Sequence, residues 1–183
     1  MAGPKSGMAL DGLKVQAHIL IIEGRFHTKI IDDLADGAAA VLKEAGATYE
    51  RVPVPGALEI PQVLEHAIAA GLVGRDPAAP RFDGAIALGC VIRGETTHYE
   101  TVCNNANHWL MDVAIRNAVP VGNAILTVET EAQAIARSKP GPDNKGADAA
   151  RACLMLIAHA RTFAMAADAA THASEAGSGE LVA

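Results

Sequence analysis

Aromatic side chains are nearly missing from this chain: one tryptophan, two tyrosines and three phenylalanines make up 3% of 183 residues, although half of the residues are hydrophobic. The interior must therefore be built from Ala, Val, Leu and Ile, which lets helices lie close on a sheet. Cysteine is scarce as well. Cys90, Cys103 and Cys153 are odd in number and show no C-x-x-C spacing, which excludes a disulfide framework and a zinc site of the usual kind and points to a reducing, cytoplasmic compartment. Clusters of Lys and Arg are absent and the formal net charge is −6, so neither nucleic acid nor an anionic membrane is expected as a partner. An anionic substrate would then need a local basic site. No apolar run approaches the ~20 residues of a membrane helix, and the first residues lack the apolar core of a signal peptide, so the chain reads as soluble and unexported. Also missing are G-x-G-x-x-G, G-x-x-x-x-G-K-[ST] and G-x-S-x-G, which removes the usual support for dinucleotide binding, P-loop hydrolysis and serine-esterase chemistry. His18, His27, His66, His108, His159 and His172 show no paired metal spacing, and no metal is assigned.

What is present is a β-α alternation. The run Ala85 to Ile92 is apolar or small throughout, as in a parallel strand covered on both faces, and it breaks into Arg93-Gly94-Glu95-Thr96-Thr97-His98. Thr97 with Glu100 fits a capping box, which starts a helix near Tyr99 whose free amides and dipole form an anion site beside His98. Further strands are read at His18 to Ile22, Thr48 to Val54 and Val121 to Thr127. Helices are read at Thr28 to Ala45, ended by Gly46, at Ile60 to Ala70 with Pro61 in its first turn, at Thr97 to Asn117, at Glu131 to Arg137, and at Lys145 to Ala169. Gly71 to Arg81 is a surface connection, and Ser138 to Asp143, rich in Pro and Gly, continues neither neighbouring helix. Residues 1 to about 14 and 171 to 183 are small and polar, as mobile tails are, leaving one domain over 15–170.

Four strands alternating with helices predict an α/β fold: a three-layer α/β/α sandwich on a four-stranded parallel sheet, flavodoxin-like in outline. Ligands of such sheets sit outside the C-terminal strand ends. Phe26, the stretch Gly56 to Glu59, Arg93 to His98 and the residues after Thr127 all follow a strand and share that edge. Taken singly, these residues also have plain readings. His98 is either an exposed helix-start histidine or, between Thr97 and Glu100, a proton-transfer group suited to neutral pH. Phe26 is either a packing aromatic or a stacking platform for a planar ring. Glu59 is either a first-turn acid or a ligand contact, and Arg137 and Lys145 are either dipole-compatible surface charges or the basic site that an anion requires.

Taken together, Arg25-Phe26, the octapeptide Val54 to Pro61, Leu88-Gly89-Cys90-Val91-Ile92-Arg93-Gly94-Glu95-Thr96-Thr97-His98, Leu126-Thr127, Gln133-Ala134, Arg137 and Asn144-Lys145-Gly146 resemble the 6,7-dimethyl-8-ribityllumazine synthase family in order and spacing, over about residues 15 to 165. The resemblance implies the penultimate step of riboflavin synthesis. In that step 5-amino-6-(D-ribitylamino)uracil condenses with 3,4-dihydroxy-2-butanone 4-phosphate, with loss of phosphate and water and without a cofactor. It further implies that Phe26 stacks on the pyrimidinedione, that Ala57, Leu58 and Glu59 hold the ribityl chain and ring edge, and that Cys90, Val91 and Ile92 present backbone to the uracil. By the same resemblance Glu95 and Thr96 belong to the phosphate loop, Arg137 reaches the phosphate from a neighbouring subunit, His98 transfers protons, and Lys145 lies near the site of ring closure.

The family assembles as pentamers or assemblies of pentamers with sites between subunits, so a homo-oligomer is implied, with Trp109 either inside the ring or in the core. The chain departs from the family at Asn123, where an aromatic is common, at His27, where Asn is common, and at Asn105, where an acid is common. Asn123 is expected to face the uracil pocket, exchanging an apolar wall for an amide and weakening uracil binding. The pattern Gly122 to Thr127 resembles a variant subgroup from bacteria that carry more than one such enzyme. The competing reading is a non-catalytic lumazine- or flavin-binding or scaffold protein of the same fold, against which the joint retention of Phe26, His98, Arg137 and Lys145 argues. A phosphate loop likewise argues against the related enzyme that dismutates two lumazines.

Overall fold

The computed structural model describes residues 14–74 and 80–178. The chain runs β1 (His18–Gly24), α1 (Thr28–Ala45), β2 (Thr48–Val54), α2 (Ile60–Ala69), β3 (Gly84–Ile92), α3 (His98–Arg116), β4 (Val121–Val128), α4 (Glu131–Ser138) and α5 (Lys145–Ser178), with single 3₁₀ turns at Arg25–His27 and Ala57–Glu59. The four strands form one sheet in the order β2-β1-β3-β4, and every pairing is parallel. β3, the most apolar segment, is thus central, and strand alternation divides the interior between the two faces. On one face Ile19, Ile21, Ile86 and Leu88 meet Ile31, Leu34 and Leu42 of α1 and Leu154 of α5. On the other, Leu20, Ile22 and Ala87 meet Ile60 and Leu64 of α2 and Leu110 of α3. The predicted three-layer α/β/α sandwich is the observed architecture.

Absence of large side chains brings backbones together. A Cβ on Gly122 in β4 would fall on the carbonyl oxygen of Ala149 in α5, and one on Gly146 would fall on the carbonyl oxygen of Leu34 in α1. α5 therefore lies directly on the sheet and on α1. Its start is fixed by Asn144, only 1% exposed, whose Oδ1 accepts from Ala147 N–H at 2.9 Å and caps the helix. The Nδ2 of Asn144 donates to the Asp33 carbonyl at 2.9 Å and also to the Ser138 carbonyl, binding the α4–α5 loop to α1. At the end of α1, Gly46 adopts a left-handed conformation (φ 81°), and Ala47 N–H bonds back to the Leu42 carbonyl at 2.9 Å, the glycine-terminated stop read from the sequence.

Several expectations are corrected. Thr97 does not form a capping box: its backbone is already helical (φ −65°, ψ −1°) and its side chain makes no cap bond, while Thr96 Oγ1 accepts from His98 N–H at 3.4 Å and Glu100 turns to Arg93. Trp109 is not a core residue, since it is half exposed on α3. α5 passes the expected end near Ala169 and continues to Ser178, into residues read as tail. The rest of the expected C-terminal tail, the N-terminal tail up to residue 13, and residues 75–79 of the Gly71 to Arg81 connection lie outside the described residues. Over Lys145–Thr171, α5 is long and apolar enough by length and composition to cross a membrane, which a search for bulky apolar runs overlooked because alanine supplies much of its hydropathy. Its first half nonetheless buries Ala149, Ala150, Cys153, Leu154 and Ile157 against the sheet, as a core helix does.

Because neither backbone at the α1–α5 crossing can turn aside as a side chain would, Gly146→Ala is expected to destabilise the fold by ~3 kcal/mol or more, read from the shift in denaturant midpoint at unchanged slope. An effect below ~1 kcal/mol would show that this crossing is not close-packed.

Candidate functional site

At the C-terminal edge of the sheet the ends of β1, β2 and β3 separate from the start of α3, leaving a cavity of about 410 Å³. That is within the range of small-molecule sites. Its floor is Cys90, Val91 and Ile92 of β3, and one wall is the turn Pro55 to Glu59. That turn is closed by Glu59, whose carboxylate accepts from Gly56 N–H at 2.8 Å. It packs against the end of β1 so tightly that a Cβ on Gly24 would stand 3.0 Å from the Gly56 backbone. The opposite wall is Gly94, Thr96, His98, Tyr99 and Val102, the last three on one face of the first turns of α3.

Phe26 projects from the turn after β1 and is 78% exposed, with only an edge-on contact to the ring of His27 at 5.0 Å. An aromatic face left open at a cavity mouth is a platform for a flat ring. Its turn is held by charge. Glu23, 3% exposed at the end of β1, accepts from Arg51 Nη2 at 3.0 Å and Arg25 Nη1 at 3.3 Å, and Arg25 reaches Asp32 on α1 at 2.7 Å. The hydrogen bond from Arg25 holds the Asp32 carboxyl below its ordinary range.

Chemically the cavity holds one carboxylate, that of Glu59. Among the described residues no lysine or arginine lines it. Arg93, next to it, is taken up by Glu100 and by Glu129, the latter at 2.5 Å. Burial pushes the Cys90 thiol up to about 11, so it stays protonated and is no nucleophile near neutrality. What remains is the imidazoles of His27 and His98, a floor of strand backbone, a carboxylate in the wall and the amide-rich start of α3.

Of the residues singled out from the sequence, Phe26, Ala57, Leu58, Glu59, Cys90, Val91, Ile92, Thr96 and His98 meet at this cavity. Four do not. Glu95 is exposed and outside the lining, although Gly94 and Thr96 on either side line it. Arg137 is on α4, where its Nη1 donates to the Gln133 carbonyl at 3.0 Å, and Lys145 begins α5, paired with Asp148 at 2.7 Å. Asn123 does not face the cavity of its own chain. It sits early in edge strand β4, its Nδ2 donating to Asn107 Oδ1 at 2.8 Å and its Oδ1 accepting from Ile125 N–H at 2.8 Å. The sequence reading did not assign Tyr99, Val102 or His27 to the site, although the helical spacing of Tyr99 and Val102 after His98 was a usable signal.

An open parallel sheet with a small-molecule cavity at its carboxyl edge, and a histidine and a helix start in the cavity wall, is the architecture of an α/β enzyme acting on small polar substrates. The chain belongs to the 6,7-dimethyl-8-ribityllumazine synthase family, whose model matches residues 16–161. It is 46% identical over 159 residues to 6,7-dimethyl-8-ribityllumazine synthase 1 of Mesorhizobium japonicum, covering 86% of this chain and 94% of that protein. The synthase 1 of Rhodopseudomonas palustris is 49% identical over 150 residues, covering 82% of this chain and 90% of its own length. The synthase of Azorhizobium caulinodans is 49% identical over 155 residues, with 85% and 91% covered.

Removing the partner of Asp32 gives a pH signature for the turn that carries Phe26. A depressed carboxylate stabilises the fold above its ordinary range, and that contribution is lost as pH falls through the lowered folded value. The stability gap between the native chain and Arg25→Ala is therefore expected to be full above about pH 5 and to narrow steadily below pH 4, measured by urea unfolding across that range. A gap that widens on acidification would contradict the pairing.

Proposed function

We propose that the cavity carries out the reaction of the family, joining 5-amino-6-(D-ribitylamino)uracil to 3,4-dihydroxy-2-butanone 4-phosphate to give 6,7-dimethyl-8-ribityllumazine, phosphate and water. One observation supports this beyond the family match. The same small cavity presents an exposed aromatic face, a carboxylate-closed turn, strand-end backbone, a histidine and a helix start. Phe26 stacks on the pyrimidinedione, strand-end backbone at Cys90 to Ile92 meets its polar edge, and Ala57 to Glu59 take the ribityl chain. The start of α3, with Glu95 and Thr96 in the loop before it, receives the phosphate through its free amides.

Amine attack on the ketone, loss of water to an imine, loss of phosphate, and ring closure with loss of a second water require proton shifts between groups already side by side. Holding the two reactants together supplies most of the rate, up to ~7 to 11 kcal/mol in favourable cases, and His98 adds proton transfer at the mouth of the cavity.

The cation is the missing part. A phosphate in a cavity without lysine or arginine fits a site completed by a second copy, and Arg137 and Lys145 stand away from the cavity of their own chain, with Arg137 exposed on α4. In this reading the protein is a homopentamer, or an assembly of pentamers, in which Arg137 of one subunit clamps the phosphate of the next through its guanidinium fork. Half-exposed Trp109 on α3 suits burial between subunits. The three thiols are free, which agrees with a reducing cytoplasm.

The decisive experiment mixes both substrates with the protein and follows lumazine absorbance together with released phosphate. Equimolar products are expected, slowed ~10²- to 10⁴-fold in His98→Ala and accompanied in Arg137→Ala by a raised KM for the phosphate substrate. No product above the spontaneous rate would favour the binding or scaffold reading. Rings reassembled from mixed His98→Ala and Arg137→Ala subunits should regain part of the activity, because some interfaces then carry both native residues. No recovery from mixed rings of native mass would place Arg137 and His98 in the same subunit's site.

A further inference from the structure

Arg93 lines no part of the cavity, yet it holds three elements around it. It leaves β3 with its backbone N–H on the Val128 carbonyl at 2.9 Å. Its Nη1 pairs with Glu100 in the first turn of α3, its Nε donates to Glu129 after β4 at 2.5 Å, and its guanidinium carbon lies 4.2 Å from the centroid of the Tyr99 ring, which forms cavity wall. Glu129 is in turn held from α4, its N–H donating to Gln133 Oε1 at 2.9 Å. A lysine could not serve two carboxylates and stack on a ring at once; the planar fork can.

The electrostatic consequence concerns the neighbouring loop. Glu100 comes two residues after His98, and its Oε2 has no hydrogen-bond partner among the described residues. Without the guanidinium, two unbalanced carboxylates would stand beside the helix start proposed to receive a phosphate, opposing the amides that attract it. Resting on that proposed phosphate site, we infer that Arg93 is a positioning residue: it offsets one of the two negative charges of Glu100 and Glu129 so that loop 94–97 accepts an anion, and it fixes Tyr99 as cavity wall, without itself touching substrate.

The test uses the assembled protein, with KM for each substrate, kcat, and inhibition by inorganic phosphate at low and high salt. Arg93→Met is expected to raise the phosphate inhibition constant and the KM for the phosphate substrate about five- to tenfold at low salt, with kcat changed less, and the penalty should shrink near 1 M salt, where screening acts within ~3 Å. Adding Glu100→Gln to Arg93→Met should recover most of the loss by removing one of the exposed charges. A purely structural role predicts the opposite, since a second partner has been lost. A double variant no better than Arg93→Met, or a penalty indifferent to salt, would overturn the inference.

Should Arg93→Met fail to assemble, Glu100→Gln alone decides. It leaves the guanidinium with one carboxylate and should tighten phosphate inhibition severalfold, whereas weakening would overturn the inference. Lumazine formation by the native chain is read separately. If it is absent, the reaction assignment fails, while inorganic phosphate binding by calorimetry still tests Arg93.

Discussion

The closeness of α5 to its neighbours is the constraint on which the rest depends. With Gly122 under Ala149 and Gly146 under Leu34, helix backbone rests directly on strand and on helix. Such contacts tolerate no added methylene, so the layers have one spacing and one register. Asn144 completes the arrangement by converting a Pro/Gly-containing loop into a fixed corner, since its amide answers backbone groups from α1, the loop and α5 together. Leaving those buried carbonyls unanswered would cost ~1 to 3 kcal/mol each, which explains why a polar residue occupies so apolar a place.

The sheet is regular, and the cavity's rim is not. The cavity is built from segments that have left regular structure: two 3₁₀ turns and the stretch before α3. Each is held by a polar device. Glu23 with Arg25 and Arg51 secures the first, Glu59 with the Gly56 amide the second, and Arg93 with its two carboxylates the third. The guanidiniums of Arg25, Arg51 and Arg93 offset part of the carboxylate charge in these devices, and none of the three enters the cavity lining.

The fold was legible because its signals were local. The α1 and β2 boundaries agree with the hydrophobic periodicity and the Gly46 stop, and β3 was plain from its unbroken apolar run. The cavity floor and walls followed from the rule that strand ends make sites. Failures came where a residue had two partners to choose between. Glu100 was read as serving its own helix start, but an arginine seven positions back offers a full charge where an amide offers a partial one. Asn123 was assigned to the pocket by correspondence alone, whereas its register opposite Ala87 places it away from the strand end. Arg137 is exposed and Lys145 half-buried beside Asp148, and nothing within one chain says which anion either cation would serve.

Beyond Arg161, which ties α5 back to the Gln16 carbonyl at 2.9 Å and to Asp83 at 2.8 Å, the helix has left the domain. The remainder, to Ser178, is a rod about 25 Å long at 1.5 Å per residue. Over residues 162–171 its side chains are exposed, so the hydrogen bonds there open and close independently of the global unfolding that governs the sheet. Such a rod is a spacer of fixed pitch: removing one turn would shorten it by about 5.4 Å while leaving its remaining faces pointing almost as before.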